Sequence, residues 1–311
     1  MNPAIIGVLW CFAFVSLEAV QYVFFGGVFQ RISSFLFGFL AFGTTTLAIV
    51  LWLVARHPEQ LRRAFRKPGP MIGANIMAMA SWCAYLLAVQ LIEPAVAYTI
   101  SAGVMPLAAA ASHYLGTPEG EPLRNRTEAL GNLLLLCAIL YLGVVTIAGW
   151  SGFVRGGTEV AVAGVFLTLI EGVLFTWMLI YCQRMDRQGV GPAAVFGLRF
   201  PLYILVAGLL AAGGLDRKAE ASALEIATVV AIGIALTVPP LYALQRAVAL
   251  ISTLTIGALT ALGPFLIFGL QIIEGRVDYA PATLAGLCLY SLGALLAAFG
   301  AVKASSPAAA P

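Results

Sequence analysis

The sequence predicts an all-α polytopic membrane protein with ten transmembrane helices, arranged as two inverted five-helix repeats. Hydrophobic residues make up 61% of the chain and charged residues 10%, so a water-soluble fold would leave too much apolar surface exposed. Charged and Pro/Gly-rich breaks divide the chain into ten apolar segments, each close to the roughly 20 residues that a spanning helix needs. The two halves also carry similar features at corresponding places, which indicates a duplication.

The first five predicted spans start with a long apolar run at the N-terminus, which lacks the basic region of a signal peptide and is too long for its apolar core. The segment 56–70 is basic and separates spans 2 and 3. Pro94 follows Glu93 in a tight turn and suits an early helical position, because its missing N–H would be unpaired there in any case. These five spans cover residues 3–29, 32–55, 71–91, 95–115 and 129–150.

The second five predicted spans follow a polar connection and end before a short tail. We expect repeats at 1–155 and 156–303, and a disordered, Ala/Ser/Pro-rich tail at 304–311. The five spans cover residues 161–182, 192–212, 224–244, 249–273 and 282–302.

The distribution of basic residues predicts cytoplasmic termini, because Lys and Arg collect on the cytoplasmic side of membrane proteins. With both ends inside, the cytoplasmic side holds eleven basic residues and the outside holds five, leaving Arg199 within or at the edge of span 7. The inside set is Arg56, Arg62, Arg63, Arg66, Lys67, Arg124, Arg126, Arg184, Arg187, Arg246 and Lys303. The outside set is Arg31, Arg155, Arg217, Lys218 and Arg276. Since each half has an odd number of spans, the second repeat must be inverted relative to the first.

Two acids lie near the middle of equivalent spans, Glu18 in span 1 and Glu171 in span 6. A charged side chain at the centre of a bilayer costs roughly 2.5 to 3.5 kcal/mol on insertion scales, and such residues usually face a protein interior or a watery cavity. We therefore expect both glutamates to bind substrate or protons, with a carboxyl that is hydrogen-bonded within the bundle as the structural alternative. The duplication extends to spans 4 and 9, which carry Gly103 near Pro106 and Gly263 next to Pro264 in small-residue helices.

Further candidate ligand-binding residues share helical faces by the i, i+3, i+4 spacing. If these faces converge, they form a cavity with amide, hydroxyl and aromatic groups that suits a small amphiphile with an ammonium group, held partly by cation–π contact. Besides Glu18 and Glu171, they are Gln21 and Tyr22 of span 1, Trp82 and Tyr85 of span 3, Tyr98 and Ser101 of span 4, and Tyr242 and Gln245 of span 8. Arg199 either snorkels, pairs with a carboxylate or contacts substrate.

The remaining chemistry-bearing residues have structural interpretations. Glu93, Glu225 and Glu274 lie near span ends and are expected to be wetted interface charges. The five cysteines lie within predicted spans without paired spacing, so we expect small buried hydrophobes with free thiols. No motif for a metal, a cofactor, nucleic acid or ATP is present, and we expect none of these partners.

The motif around Tyr98 reads Ala97-Tyr98-Thr99-Ile100 and continues as Ser101-Ala102-Gly103-Val104. Together with Glu18, it resembles the motifs of small multidrug resistance proteins, and the whole chain resembles the drug/metabolite transporter superfamily in its ten-helix form with two EamA-type halves. The resemblance implies ten helices around a central cavity, with spans 5 and 10 packed on each other. It also implies that Glu18 binds protons or cationic substrate and that Tyr98 contacts the ligand.

These expectations favour a secondary-active transporter that exports small amphiphilic metabolites such as amino acids, with protons as the possible coupling ion. We expect a monomer in the plasma or inner membrane. A proton-coupled exporter of organic cations is the alternative within transporters. An intramembrane enzyme or a channel is the alternative of another class; the sequence lacks the metalloprotease and serine-hydrolase motifs that would favour an enzyme.

Overall fold

The computed structural model describes residues 3–120, 122–218, 221–248, 250–251 and 253–305. In this part of the chain, the regular secondary structure consists of thirteen α-helices. They are α1 Pro3–Val28, α2 Ser34–Arg56, α3 Pro58–Arg66, α4 Gly69–Leu91, α5 Pro94–Tyr114, α6 Arg126–Ile147, α7 Thr158–Arg187, α8 Pro192–Leu198, α9 Pro201–Ala212, α10 Ala223–Val248, α11 Thr253–Thr260, α12 Gly263–Glu274 and α13 Pro281–Ser305.

The described residues contain ten helical segments long and apolar enough to cross a membrane, which confirms the predicted number of spans. Large apolar side chains lie on the outside of these helices, as a surface in contact with lipid requires. On α1, for example, Ile5, Leu9 and Phe12 are each about half exposed. The protein is a multi-pass, all-α membrane protein.

Three features differ from the predicted spans. The predicted connection 56–70 contains the amphipathic helix α3, which has Pro58 in its first turn and Arg63 and Arg66 in its last turn, where cations favour the helix dipole. The seventh span is divided into α8 and α9, and the ninth into α11 and α12. The last helix continues to Ser305, and residues 306–311 of the predicted tail lie outside the described residues.

The chain divides into two compact units, each built from both halves of the sequence. Unit 1 comprises Met1–Gly27, Ala88–Leu169 and Ala235–Pro311, and unit 2 comprises Val28–Leu87 and Ile170–Ile234. The repeat boundaries at 1–155 and 156–303 stay a prediction.

Within unit 1, α6 packs along α13, which confirms the expected contact between spans 5 and 10. Glycines allow this close approach. A Cβ added at Gly131 would lie within 2.8 Å of three atoms of Ala297, and one added at Gly300 would meet the backbone of Glu128. Small residues are the usual packing device between membrane helices, because lipid gives little hydrophobic drive for helix association.

The cysteines are free thiols, as predicted, but the expectation that all are buried is wrong. Cys11 is buried, Cys83 and Cys182 are partly exposed, and Cys137 and Cys288 are exposed. A thiol behaves as a small hydrophobe, so facing hydrocarbon costs it little.

The expectation that Glu93 is a wetted charge is also wrong. Glu93 is fully buried in unit 1, where it accepts hydrogen bonds from the Gly152 backbone N–H at 2.9 Å, the Thr283 hydroxyl at 2.8 Å and the amide of Gln271. Burial raises the pKa of Glu93, and these hydrogen bonds partly oppose that rise. By contrast, Glu225 and Glu274 remain partly exposed and pair with Arg31 and Arg276.

Candidate functional site

The candidate site in unit 1 is built around the carboxyl group of Glu18, halfway along α1. The hydroxyl of Tyr98, on α5, donates a hydrogen bond of 3.3 Å to Oε2 of Glu18. Tyr22, one turn further along α1, packs its ring edge-on against Tyr98 with centroids 5.0 Å apart. The structure therefore brings together three of the residues selected from sequence.

The Tyr98 hydroxyl also lies beside the break in the ninth span. A Cβ added at Gly263 would lie only 2.8 Å from this hydroxyl, so the glycine is what lets Tyr98 approach the start of α12. On the other side of the break, the Ser291 hydroxyl of α13 donates a hydrogen bond of 2.8 Å to the carbonyl of Ala261. This bond satisfies a carbonyl group that the interrupted helix leaves without its usual partner.

Unit 1 contains further buried polar groups on α1, α5, α10 and α13. Gln21 is buried on α1, and its amide donates a hydrogen bond of 3.0 Å to the hydroxyl of Thr237 on α10. Ser101 is buried one turn beyond Tyr98 on α5. Tyr290 of α13 is buried and close enough to Glu18 for an electrostatic interaction.

Tyr242 and Gln245 are the residues selected from span 8. Tyr242 is 55% exposed, and its ring packs edge-on against Trp10 at 5.7 Å. The side chain of Gln245 lies outside the part of the chain that the structure describes. Among the described residues, Tyr242 has no hydrogen bond to Glu18.

The remaining predicted residues belong to unit 2. Trp82 and Tyr85 on α4 pack edge-on at 5.4 Å, which confirms that they share a face, and Trp82 also packs against Phe42 of α2 at 4.5 Å. Glu171 is buried on α7. Because Glu18 and Glu171 fall in different units, a cavity shared by the two acids stays a prediction.

Glu18 is an acid whose charge the described residues leave uncompensated. Its hydrogen-bond partner is a neutral hydroxyl, and no Lys or Arg of the described chain forms an ion pair with it. A carboxyl in such a place can hold a proton, or can ionise when a cation is bound beside it. Aromatic faces of Tyr22 and Tyr98 are suited to a bound ammonium group. The described residues contain no group of three or more His, Cys, Asp or Glu side chains that could hold a metal ion.

Sequence reasoning did not select Thr237, Ser291, Asn75 or Gln271. Each is a polar residue within an apolar span, and that local contrast is a signal that could have found it. Their partners, however, lie on other helices and cannot be identified from spacing alone.

Comparison with protein-family models gave no match, and neither did comparison with curated proteins. Solved structures similar to this chain include one described as "Crystal structure of protein". It is 22% identical in sequence, with a TM-score of 0.59, over 98% of this chain and 99% of that chain. At this level of identity the likeness concerns the fold alone, and it extends over nearly the whole chain.

Proposed function

We propose that this protein is a secondary-active transporter that exports small amphiphilic metabolites, such as amino acids, by alternating access coupled to protons. The observation that carries the proposal is the position of Glu18. It lies midway along a spanning helix, with the hydroxyl of Tyr98 as partner and, within the described residues, no basic side chain paired with it. An ionisable residue inside a membrane is costly, and it typically marks a substrate, ion or proton pathway.

The interrupted ninth span supports the same proposal. Substrate sites of secondary transporters are typically formed near discontinuous helices, whose freed backbone groups and helix ends face polar ligands. Here the break between α11 and α12 lies beside Tyr98, the partner of Glu18. The helix break and the acid thus belong to one local arrangement within unit 1.

The proposed coupling uses competition at Glu18. In the substrate-free protein the carboxyl carries a proton, and it gives up that proton when the ammonium group of a substrate binds. The Tyr98 hydroxyl donates to the ionised form, while the Tyr22 and Tyr98 rings contact the cation. Glu171 is proposed to act as a second exchange group.

The proposal includes the finer architecture. The family is the drug/metabolite transporter superfamily with two EamA-type halves at 1–155 and 156–303, which the length and number of spans support. The termini are proposed to lie in the cytoplasm and the protein to reside in the plasma or inner membrane as a monomer.

A proton-coupled exporter of organic cations is the second candidate. The two tyrosine rings near Glu18, together with buried Tyr290, favour it, since aromatic side chains bind quaternary ammonium groups well. The buried amide of Gln21 and the hydroxyl of Ser101 favour a ligand with its own polar groups, and for that reason we place the metabolite exporter first.

Counterflow in proteoliposomes tests the proposal. Vesicles are loaded with amino acids or with quaternary ammonium compounds. For each compound that exchanges, the measurement is repeated with a pH step across the membrane. We expect saturable exchange of amino acids, driven by the pH step in the wild type and lost in Glu18→Gln. Glu159→Gln, which changes an exposed acid on α7, is the matched control and should exchange normally.

Exchange of organic cations alone would select the second candidate. Absence of exchange for both classes, or an unchanged pH response in Glu18→Gln, would contradict the proposal. A flux that does not saturate and cannot accumulate substrate would instead indicate a channel.

A further inference from the structure

The seventh span is interrupted at Arg199 and Phe200, between α8 and α9, both in unit 2. The side chain of Asn75 on α4 bridges this break: its Nδ2 donates to the carbonyl of Leu198 at 2.7 Å, and its Oδ1 accepts from the N–H of Leu202 at 3.1 Å. In a membrane segment, backbone groups freed by a break need such partners. The break is therefore stabilised by hydrogen bonds from a side chain of a neighbouring helix.

Arg199 follows α8 directly, and its guanidinium group has no acidic partner among the described residues. Cζ lies 4.8 Å from the ring centre of Phe200 and 5.0 Å from that of Phe196. Nη1 makes a long contact of 3.8 Å with Sγ of Cys182, and Nε is buried with no hydrogen-bond partner in the described chain. A cation held on aromatic rings without a counter-charge is costly within a membrane protein.

The ring of Phe200 joins Arg199 to a larger aromatic cluster. The ring of Phe42 packs against three others, with centroid distances of 4.7 Å to Phe200, 4.5 Å to Trp82 and 5.2 Å to Tyr203. Within the described residues, Nε1 of Trp82 and the hydroxyl of Tyr203 are buried without a hydrogen-bond partner. Tyr203 is fully buried. Buried donors of this kind are normally paired, and Nε of Arg199 is the charged donor among them that lacks an acceptor within the described residues.

We propose that this region is a second ligand site, which binds an oxyanion carried on an apolar body. The planar guanidinium of Arg199 suits bidentate binding of a carboxylate or phosphate, which would neutralise its charge. The rings of Phe196 and Trp82, which are both partly exposed, supply an apolar wall for the rest of the ligand. A small aromatic carboxylate and a lipid headgroup phosphate share this chemistry. The site lies within unit 2 and does not depend on the transport activity proposed for Glu18.

Equilibrium binding of 3-phenylpropionate to the full-length protein in phosphatidylcholine nanodiscs tests the site. Arg199→Gln should weaken binding by about tenfold or more, since a charge-assisted hydrogen bond contributes roughly 1.5 to 3 kcal/mol. Arg199→Lys should give an intermediate loss of affinity, because lysine keeps the positive charge but cannot donate two parallel hydrogen bonds as the guanidinium does. Binding of the neutral 3-phenylpropanamide should be weak in every variant. Arg62→Gln, on the exposed surface of α3 in the same unit, is the matched control.

A second measurement needs no variant and so does not depend on the variants folding. The rate at which N-ethylmaleimide alkylates Cys182 is followed by mass spectrometry, with exposed Cys137 as internal reference. We expect 3-phenylpropionate to slow the reaction of Cys182 and to leave that of Cys137 unchanged, because Cys182 contacts Arg199.

Nanodiscs that contain phosphatidylglycerol separate the two sources of the oxyanion. If this lipid displaces 3-phenylpropionate and itself slows alkylation of Cys182, the site binds a lipid phosphate. If it does neither, while 3-phenylpropionate does both, the site binds a small carboxylate. The proposal is overturned if Arg199→Gln binds 3-phenylpropionate as the wild type does, or if no oxyanion protects Cys182.

Discussion

At the scale of single residues, the hydroxyl of Tyr98 is the hydrogen-bond donor that the described chain supplies to Glu18. The sequence could select both residues, one as an acid in an apolar run and the other through its motif. It could not show that they meet, since they lie 80 positions apart. Gly263, which allows Tyr98 to reach the break before α12, looked like a packing residue alone.

Tyr98→Phe tests this contact. The change keeps the ring that packs against Tyr22 and removes only the hydroxyl. Because a hydrogen bond to a charged group contributes roughly 1.5 to 3 kcal/mol, we expect the half-saturating substrate concentration in the counterflow assay to rise about tenfold or more. Tyr141→Phe, on the exposed face of α6, should behave as the wild type. Equal kinetics for Tyr98→Phe and the wild type would show that the hydroxyl has no part in binding.

Glu93 predicts a pH dependence of stability. Since burial raises its pKa, the folded protein holds the proton more tightly than the unfolded chain does. The resulting stabilisation is complete below the ordinary carboxyl pKa of 4.5 and is lost as the pH rises through the raised value of the folded state. The free energy of unfolding should therefore decrease with rising pH above 4.5.

Unfolding in detergent, followed from pH 4.5 to 8, checks this prediction. Glu93→Gln cannot ionise, so its free energy of unfolding should fall much less with rising pH. Glu159→Gln, a change at an exposed acid, should show the same fall as the wild type. The same slope in Glu93→Gln and the wild type would refute the assignment. Sequence reasoning misjudged Glu93 because its buried partners Gln271 and Thr283 are 178 and 190 positions away.

At the scale of helices, hydropathy and length predicted the ten spans, but prolines did not predict which spans are interrupted. Pro106 lies inside the continuous α5, and Pro239 and Pro240 lie inside α10. Pro201 and Pro264, by contrast, begin new helices after a break. What accompanies the breaks is a side chain from a neighbouring helix, Asn75 in one case and Ser291 in the other. Such tertiary partners are invisible in the local sequence.

The close contact between α6 and α13 can be tested by comparing a glycine at the contact with a glycine that has open space around it. A Cβ at Gly131 would overlap the backbone of Ala297, whereas one at Gly269 on α12 meets nothing within 4 Å. Gly131→Ala should lower the free energy of unfolding by about 1 to 3 kcal/mol, as overpacking usually does. Gly269→Ala should leave it unchanged or slightly raised, because alanine favours a helix.

Denaturant titration in detergent micelles measures both glycine variants. Equal stability of the two variants would mean that α6 and α13 do not approach as closely as the structure has them. The family resemblance implied this helix pair, whereas its contacting positions are visible only in the structure.

At the scale of the whole molecule, composition was enough to predict a multi-pass membrane protein. It could not predict how the spans group, because each compact unit takes helices from both halves of the chain. Glu18 with Tyr98 falls in unit 1, and Trp82 with Tyr85 falls in unit 2. The contacts seen among the selected residues each lie within one unit, and the convergence of all the selected faces on one cavity stays a prediction.

The connections of unit 1 support the alternation of sides on which the predicted orientation depends. The turn at Glu93 is bonded to Gly152, and Gly152 accepts a hydrogen bond from the N–H of Asp278. Three connections predicted to be extracellular therefore meet at one end of unit 1. The side chain of Asn125, in a connection predicted to be cytoplasmic, donates to the carbonyl of Gly300 near the end of α13. The side that each end faces stays a prediction, made from the positive-inside rule.

Single cysteines in a background without the five natural thiols test this orientation in intact cells. Arg66→Cys and Lys303→Cys should react with a membrane-impermeant maleimide only after the cells are opened, because both positions are predicted to be cytoplasmic. Gly157→Cys and Arg217→Cys should react in intact cells. All four positions are exposed, so accessibility within the protein does not limit the reaction. The reverse pattern would place the termini outside, and a mixed pattern within either pair would contradict the alternation of the ten spans.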